Sequence, residues 1–195
     1  PDFLKEAAIQ AVNDNYNSYS PVDGYMDLKE AVCEKFKRDN NLVYTPSQVV
    51  VSTGAKQSIA NVCMVLLNPG DDVILPAPYW VSYSAIVTLA EATPIIVPTG
   101  IDQNFKITPQ QLEASITPKT KLIMFNSPNN PSGTVYTEDE YRALANVLEK
   151  YPEIYVLSDE IYEHISYSGE VFSLASIPSL YDRTITVNRL AKAFV

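Results

Sequence analysis

Short apolar runs alternate along the chain with longer segments in which apolar residues recur every three or four positions. The short runs predict strands at residues 49–53, 72–75, 93–98, 121–126, 154–157 and 184–187. The longer segments predict helices at residues 3–12, 26–38, 55–67, 81–90, 109–115 and 137–150. Because strands and helices alternate, the pattern predicts an α/β fold with a mainly parallel sheet covered by helices on both faces.

The segment IYVLSDEIY, residues 154–162, is the centre of this pattern. Its apolar half predicts a strand buried on both faces, and Asp159 follows at the carboxyl end, where ligands bind in open α/β sheets. Taken alone, Asp159 is more simply a helix N-cap, and Tyr162 is ordinary aromatic packing. However, other candidates also follow predicted strands, so all of them should meet at one edge of the sheet: Gly54, Ala55, Lys56, Trp80, Asn130 and Lys192.

The turn at Thr53-Gly54-Ala55-Lys56-Gln57 leads from a predicted strand into a helix. A helix N-terminus presents unpaired N–H groups and a positive dipole end, which together bind anions. Such a turn is equally compatible with a simple helix start. Trp80 is likewise compatible with core packing or with stacking on a flat ligand.

Composition narrows the classes of function. The chain has 195 residues, 46% of them hydrophobic, and a net charge of −9 without a basic run, which argues against a nucleic-acid partner. No segment has the length of a membrane span, and no signal peptide opens the sequence, although it begins at Pro1 rather than Met. Cys33 and Cys63 lie in amphipathic patterns as apolar thiols, which fits a reducing compartment, and we expect a cytoplasmic protein.

The sequence lacks the residues that common hydrolytic sites and metal sites require. His164 is the only histidine, so histidine triads and histidine-rich zinc sites are not supported, and neither CxxC nor HExxH occurs. The pairs Asp71-Asp72 and Asp159-Glu160 are adjacent, and neighbours along an extended chain point in opposite directions. We therefore expect no metal site and no two-carboxylate glycosidase.

Five motifs together resemble one family: TGAKQ, PAPYWVSY, NSPNNPSG, SDEIYEH and the ending VNxxAKAF. They resemble the class I pyridoxal 5'-phosphate (PLP) dependent aminotransferases of fold type I, nearest to the bacterial aspartate aminotransferase-like branch. The resemblance covers essentially the whole chain and roughly half of the family's length. It implies N-terminal helices and a dimer-contact loop in residues 1–40, an incomplete PLP-binding large domain in residues 41–195, and no C-terminal small domain.

The resemblance also implies a role for each candidate at the cofactor. Lys192 would hold PLP as a Schiff base and, once displaced by substrate, carry the proton at the substrate α-carbon. Asp159 would keep the pyridine nitrogen protonated. Tyr162 and Asn130 would hydrogen-bond the phenolic oxygen, and Trp80 would stack on the ring.

The phosphate would be bound by the turn at Gly54, Ala55 and Lys56, with Tyr19 reaching it from the neighbouring subunit of a homodimer. Lys56 also matches the lysine that faces an acidic substrate side chain in the aspartate branch, and we expect Lys56, Asn130 and Trp80 to contact substrate. The family further implies cis peptide bonds at Ala77-Pro78 and Asn130-Pro131.

The sequence departs from the family in two respects. Arg189 stands where the family usually has glycine, three residues before the lysine. The family's phosphate-binding arginine and substrate-carboxylate arginine both lie beyond the residues present, so we expect little turnover from these 195 residues alone.

The resemblance implies an enzyme that transfers the amino group of an L-amino acid, favouring aspartate and glutamate, to a 2-oxo acid. A PLP-dependent carbon–sulfur lyase would retain the same lysine, aspartate and tyrosine. A catalytically silent binding or regulatory descendant is the alternative that is not an enzyme. A requirement for a 2-oxo acid distinguishes the transaminase from the lyase.

Overall fold

A five-stranded parallel sheet forms the centre of the part of the chain that the structure describes. The computed structural model describes residues 1–167, 169 and 171–194, while residues 168, 170 and 195, which fall within the predicted domain 41–195, lie outside the described residues. The strands are β1 Asp72–Ala77, β2 Thr93–Pro98, β3 Thr120–Asn126, β4 Tyr155–Asp159 and β5 Thr184–Val187. Their order is β2-β1-β3-β4-β5, with every pairing parallel, which confirms the predicted sheet.

Helices connect the strands and precede them. They are α1 Asp2–Asn13, α2 Met26–Asn40, α3 Ala55–Leu66, α4 Ser82–Leu89, α5 Pro109–Ser115, α6 Glu138–Leu148 and α7 Ala191–Phe194. Short 3₁₀ turns occupy Pro46–Gln48, Ile101–Gln103, Leu174–Ser176 and Tyr181–Arg183. None of the helices that the structure describes has both the length and the apolar character needed to span a membrane.

The helices cover both faces of the sheet, as the sequence predicts. Successive strand residues point to opposite faces, so each strand supplies apolar side chains to two cores. On one face α3 and α4 bury Ile59, Cys63, Tyr83 and Val87 against Val73, Leu122 and Leu157. On the other face α5 and α6 bury Leu112, Tyr141, Leu144 and Leu148 against Ile74, Ile123 and Val156. This double cover explains why the central strands β1 and β3 are mostly apolar along their length.

The predicted strand at residues 49–53 is wrong. These residues have no strand assignment, and the N–H of Val51 donates to the carbonyl of Asp23, in the loop before α2, at 3.0 Å. Val50 is 65% exposed, unlike the buried residues of the central strands. The segment is extended and β-branched, but it is held by a loop rather than by a neighbouring strand.

Cis proline bonds occur in the loops that follow β1 and β3. The predicted cis bonds at Ala77-Pro78 and Asn130-Pro131 are both present. A third, which the sequence did not indicate, lies at Ser127-Pro128. These loops belong to the carboxyl edge of the sheet, where the candidate site residues lie.

Candidate active site

Asp159 is the last residue of β4 rather than the residue after it, and its side chain is buried. Only 2% of Asp159 is exposed. The hydroxyl of Tyr83 donates to its Oδ2, and the N–H of Ile161 donates weakly to its Oδ1 at 3.4 Å. Burial raises the pKa of Asp159 to about 6, although both hydrogen bonds lower it. The site therefore holds a carboxylate that would gain from a cationic partner.

Asn126, the last residue of β3, connects Asp159 to the loop that carries Asn130. Its Nδ2 donates to the backbone carbonyl of Asp159 at 2.9 Å, and its Oδ1 accepts from the N–H of Asn130 at 2.7 Å. Asn126 is buried, and both the nitrogen and the oxygen of its side-chain amide are held by these hydrogen bonds. The loop after β3 is thereby tied to the end of β4.

The side chains of Asn130 and Tyr162 are in contact. The Nδ2 of Asn130 donates to the hydroxyl of Tyr162 at 3.3 Å. Tyr162 lies in the turn that follows β4, three residues after Asp159, and both side chains are half-buried. Two groups able to donate to the same oxygen of a ligand therefore lie side by side.

Lys192 lies in the short helix α7, after β5. Its Nζ is 5.4 Å from the centroid of the Tyr162 ring, within the range of a cation–π contact. The side chain is half-buried. The amine of Lys192 thus lies next to Tyr162. The carboxylate of Asp159 lies at the end of β4, the strand that pairs with β5.

The turn before α3 supplies backbone donors. Gly54 has φ +89°, a conformation that favours glycine, and an added Cβ would meet no atom within 4 Å. Glycine is therefore required by backbone conformation rather than by space. The N–H groups of the first helical turn, at Ala55 and Lys56, have no partner inside the helix, which makes this end of α3 suited to an anion.

A series of side-chain contacts joins the α3 turn to Asp159 through Lys56, Trp80 and Tyr83. The Nζ of Lys56 lies 5.0 Å from the centroid of the Trp80 ring, and the Trp80 ring meets the Tyr83 ring edge to face at 5.6 Å. Because the hydroxyl of Tyr83 donates to Asp159, the α3 turn is connected to the buried carboxylate.

Most of the predicted site residues therefore belong to one continuous chain of contacts. In order along that chain they are Lys56, Trp80, Tyr83, Asp159, Asn126, Asn130, Tyr162 and Lys192. Tyr19 is not part of it among the described contacts. Its side chain is fully exposed in the loop between α1 and α2, so its predicted role in a neighbouring subunit stays a prediction.

Tyr83 and Asn126 are the members of this chain that sequence reasoning missed. Tyr83 lies in α4, where it is 1% exposed, and its spacing is that of an ordinary core residue. Asn126 ends a buried strand and could have been noticed as a polar residue at the carboxyl edge. Both residues belong to motifs that the sequence analysis quotes, Tyr83 at the end of PAPYWVSY and Asn126 at the start of NSPNNPSG, but neither was given a role.

The residues present fit a ring that carries a protonated nitrogen, an aldehyde and a phosphate. The buried carboxylate of Asp159 suits the nitrogen, the amine of Lys192 suits the aldehyde, and the N-terminus of α3 suits the phosphate. The ring of Trp80 and the paired donors of Asn130 and Tyr162 supply the remaining contacts that such a ring needs.

Comparison with known proteins gives matches over the whole chain. The family model "Aminotransferase class I and II" matches residues 1–195. The aspartate/prephenate aminotransferase of Cereibacter sphaeroides is 50% identical over 196 residues, which is all of this chain and 49% of that protein. A bifunctional aspartate aminotransferase and glutamate/aspartate-prephenate aminotransferase of Petunia hybrida is 44% identical, and this chain covers 42% of it.

Solved structures give the same result. The aspartate aminotransferase of Rhizobium meliloti superposes with a TM-score of 0.98 at 42% identity, covering all of this chain and 49% of that one. The aspartate aminotransferase of Thermus thermophilus, solved with maleate, superposes at 0.95, with 42% identity and 50% of its chain covered. The chain thus spans about half the length of the curated relatives it matches, and its sheet corresponds to part of their fold.

Proposed function

The chain belongs to the class I and II aminotransferase family, and from this premise we propose that it forms the cofactor-binding part of a PLP-dependent transaminase. The reaction is the transfer of the amino group of an L-amino acid to a 2-oxo acid. The observation that carries the proposal is the buried Asp159 carboxylate at the end of β4. From the backbone carbonyl of the same residue, hydrogen bonds lead through Asn126 and Asn130 to Tyr162, which contacts Lys192.

Each residue contributes a separate function. PLP, when bound, supplies the electron sink that makes the substrate α-carbon acidic. Asp159 would hold the proton on the ring nitrogen, because its ionised form is costly to bury without a cation. Asn130 and Tyr162 would orient the ring by donating to its phenolic oxygen, and Trp80 would hold the ring from one face.

Lys192 and the α3 turn complete the proposed machinery. The amine of Lys192 would hold the cofactor through its aldehyde and, once substrate had displaced it, would move the proton at the α-carbon as general acid and base. Ala55 and Lys56 would bind the phosphate through backbone N–H groups, while Gly54, whose own N–H donates to the carbonyl of Ser52 at 2.7 Å, would shape the turn.

Acidic substrates of the aspartate and glutamate type fit this site best. The amine of Lys56, held over Trp80, is the cation that would receive a second carboxylate. The relatives named for aspartate and prephenate, and the Thermus structure with maleate, all involve ligands with two carboxylates, which supports the same class.

The proposal extends to assembly and location. Tyr19, fully exposed on its loop, is proposed to reach the phosphate of a neighbouring subunit in a homodimer. The thiols of Cys33 and Cys63 are free, and this favours a reducing compartment such as the cytoplasm.

The test is an absorption spectrum of the full-length protein, meaning this chain with any sequence that adjoins it. PLP should give the visible band of a lysine-linked cofactor, and aspartate or glutamate should change that band only reversibly, with a 2-oxo acid restoring it. Lys192→Ala should abolish the band, whereas Lys119→Ala, at an exposed position, should leave it unchanged. A band that persists in Lys192→Ala would remove that lysine from the role, and turnover without a 2-oxo acid would indicate the lyase.

A further inference from the structure

Glu163, the residue after Tyr162, joins three separate parts of the molecule. Its side chain is 6% exposed. Its carboxylate accepts hydrogen bonds from two residues of α2 and from Asn188, which directly follows β5. We propose that Glu163 is a positioning residue that fixes Tyr162 relative to the segment carrying Lys192, an inference that rests on the proposed function.

The first connection is to α2. The Nζ of Lys35 donates to Oε1 of Glu163, and the Nδ2 of Asn40 donates to Oε2 at 2.9 Å. Lys35 also donates to Oδ1 of Asn40 at 2.7 Å, which closes a triangle of three side chains. Both carboxylate oxygens are therefore held from the helix side, and Lys35 balances the buried charge.

The second connection is to the lysine segment. The Nδ2 of Asn188 donates to Oε1 of Glu163 at 2.6 Å, while its Oδ1 accepts from the N–H of Arg189 at 2.7 Å. Asn188 lies four positions before Lys192. The carboxylate thus fixes the start of the segment that carries the amine.

The third connection runs through the backbone to Tyr162. The N–H of Glu163 donates to the carbonyl of Glu160 at 3.0 Å, and the N–H of Ile165 donates to the carbonyl of Tyr162 at 2.8 Å. A shift of the Glu163 side chain therefore moves the turn that carries Tyr162. Displacements well below 1 Å matter at reacting groups, so this turn needs an anchor.

A carboxylate suits this position better than an amide. Two amide groups and one ammonium group donate toward its oxygens, and His164 lies 3.3 Å from Oε1. A carboxylate only accepts, whereas a glutamine would direct its own NH₂ group at one of these donors. Glu163→Gln therefore keeps the size of the side chain and breaks at least one connection.

The experiment compares Glu163→Gln with Glu138→Gln in the full-length protein loaded with PLP. Glu138 pairs with Arg142 on the exposed surface of α6, so its substitution removes an ion pair elsewhere. The readout is the pH midpoint of the visible band of the lysine-linked cofactor. A hydrogen bond from the Tyr162 hydroxyl to the cofactor's phenolic oxygen would lower the basicity of the lysine-linked nitrogen. Glu163→Gln should weaken that hydrogen bond and so raise the midpoint by about one pH unit, roughly tenfold in the dissociation constant.

We expect kcat to fall about tenfold in Glu163→Gln with the KM for aspartate nearly unchanged, since orientation rather than binding is affected. Asn188→Ala should shift the midpoint in the same direction, and it serves as the test if Glu163→Gln does not fold. An unchanged midpoint in a variant that still shows the band would overturn the positioning role and leave the proposed function intact. Absence of the band in the wild-type protein would instead overturn the proposed function.

Discussion

Substituting Asp159 by asparagine should stabilise the full-length protein in the absence of PLP. The carboxylate is almost completely buried at the end of β4, and burial is the main cause of its raised pKa. Asparagine has nearly the same shape, and its carbonyl oxygen can still accept from the hydroxyl of Tyr83. The substitution therefore removes a buried charge while it keeps the main hydrogen bond.

The pKa shift sets the magnitude. The pKa of Asp159 rises from 3.8 to about 6 on folding. A shift of about 2 pKa units corresponds to roughly 3 kcal/mol of unfolding free energy. Because the folded pKa lies above the unfolded one, the cost of ionisation is absent at low pH and grows as pH rises through that interval. The stability gained by Asp159→Asn should rise from below about 1 kcal/mol near pH 4 to roughly 3 kcal/mol near pH 8.

The assay is urea unfolding of wild-type and variant protein without PLP, across this pH range. Burial also raises the pKa of Glu160, to about 7, but that group titrates in both proteins, so their difference isolates Asp159. Asp182→Asn, at an exposed position, is the control and should stay within about 0.5 kcal/mol of wild type at every pH. A variant that is no more stable than wild type at pH 8, or whose gain does not depend on pH, would refute this reasoning. Added PLP should favour the wild-type protein, since only the carboxylate pairs with a protonated ring nitrogen.

Two further substitutions test neighbouring contacts. Tyr83→Phe removes a hydrogen bond that lowers the pKa of Asp159. The pH above which PLP binds tightly should therefore rise by about one unit. The control is Tyr167→Phe, at an exposed position, and equal pH dependence of PLP binding in the two variants would count against this contact. Gly54→Ala should cost about 1–3 kcal/mol in urea unfolding, because φ +89° with ψ 159° is a backbone conformation that is nearly restricted to glycine. Gly70→Ala, at φ +86° in the turn before β1, should cost a similar amount, but only Gly54→Ala should weaken PLP binding, and equal weakening by both would contradict a phosphate site at α3.

The fold was predictable because the burial of a strand requires apolar residues, and these are visible in the sequence. β1 and β3 are apolar on both faces, and only a sheet covered on both sides requires this. Residues 49–53 carry the same β-branched pattern, yet they form no strand in the described part of the chain. A β-branched pattern indicates a preference for extended backbone, whereas strand pairing depends on which segment lies alongside. The segment that lies alongside residues 49–53 is the loop at Asp23.

The candidate site was predictable only in part. Residues that follow strands could be placed at one edge of the sheet from topology alone, and Asp159 and Lys192 are of this kind. Tyr83 and Glu163 could not, because each acts through a contact distant in sequence, to Asp159 and to α2 respectively. Their local surroundings are those of a core aromatic residue and of a charged turn residue, and neither pattern identifies a partner.

The order of the strands has a consequence for synthesis on the ribosome. Asp159 ends β4, and Lys192 lies 33 positions later, after β5. At about 5–20 residues per second, several seconds separate the synthesis of Asp159 from that of Lys192. Under the proposed function, a nascent polypeptide contains the carboxylate that would pair with the ring nitrogen before it contains the amine that would bind the aldehyde. Covalent attachment of the cofactor would then wait until β5 has been translated.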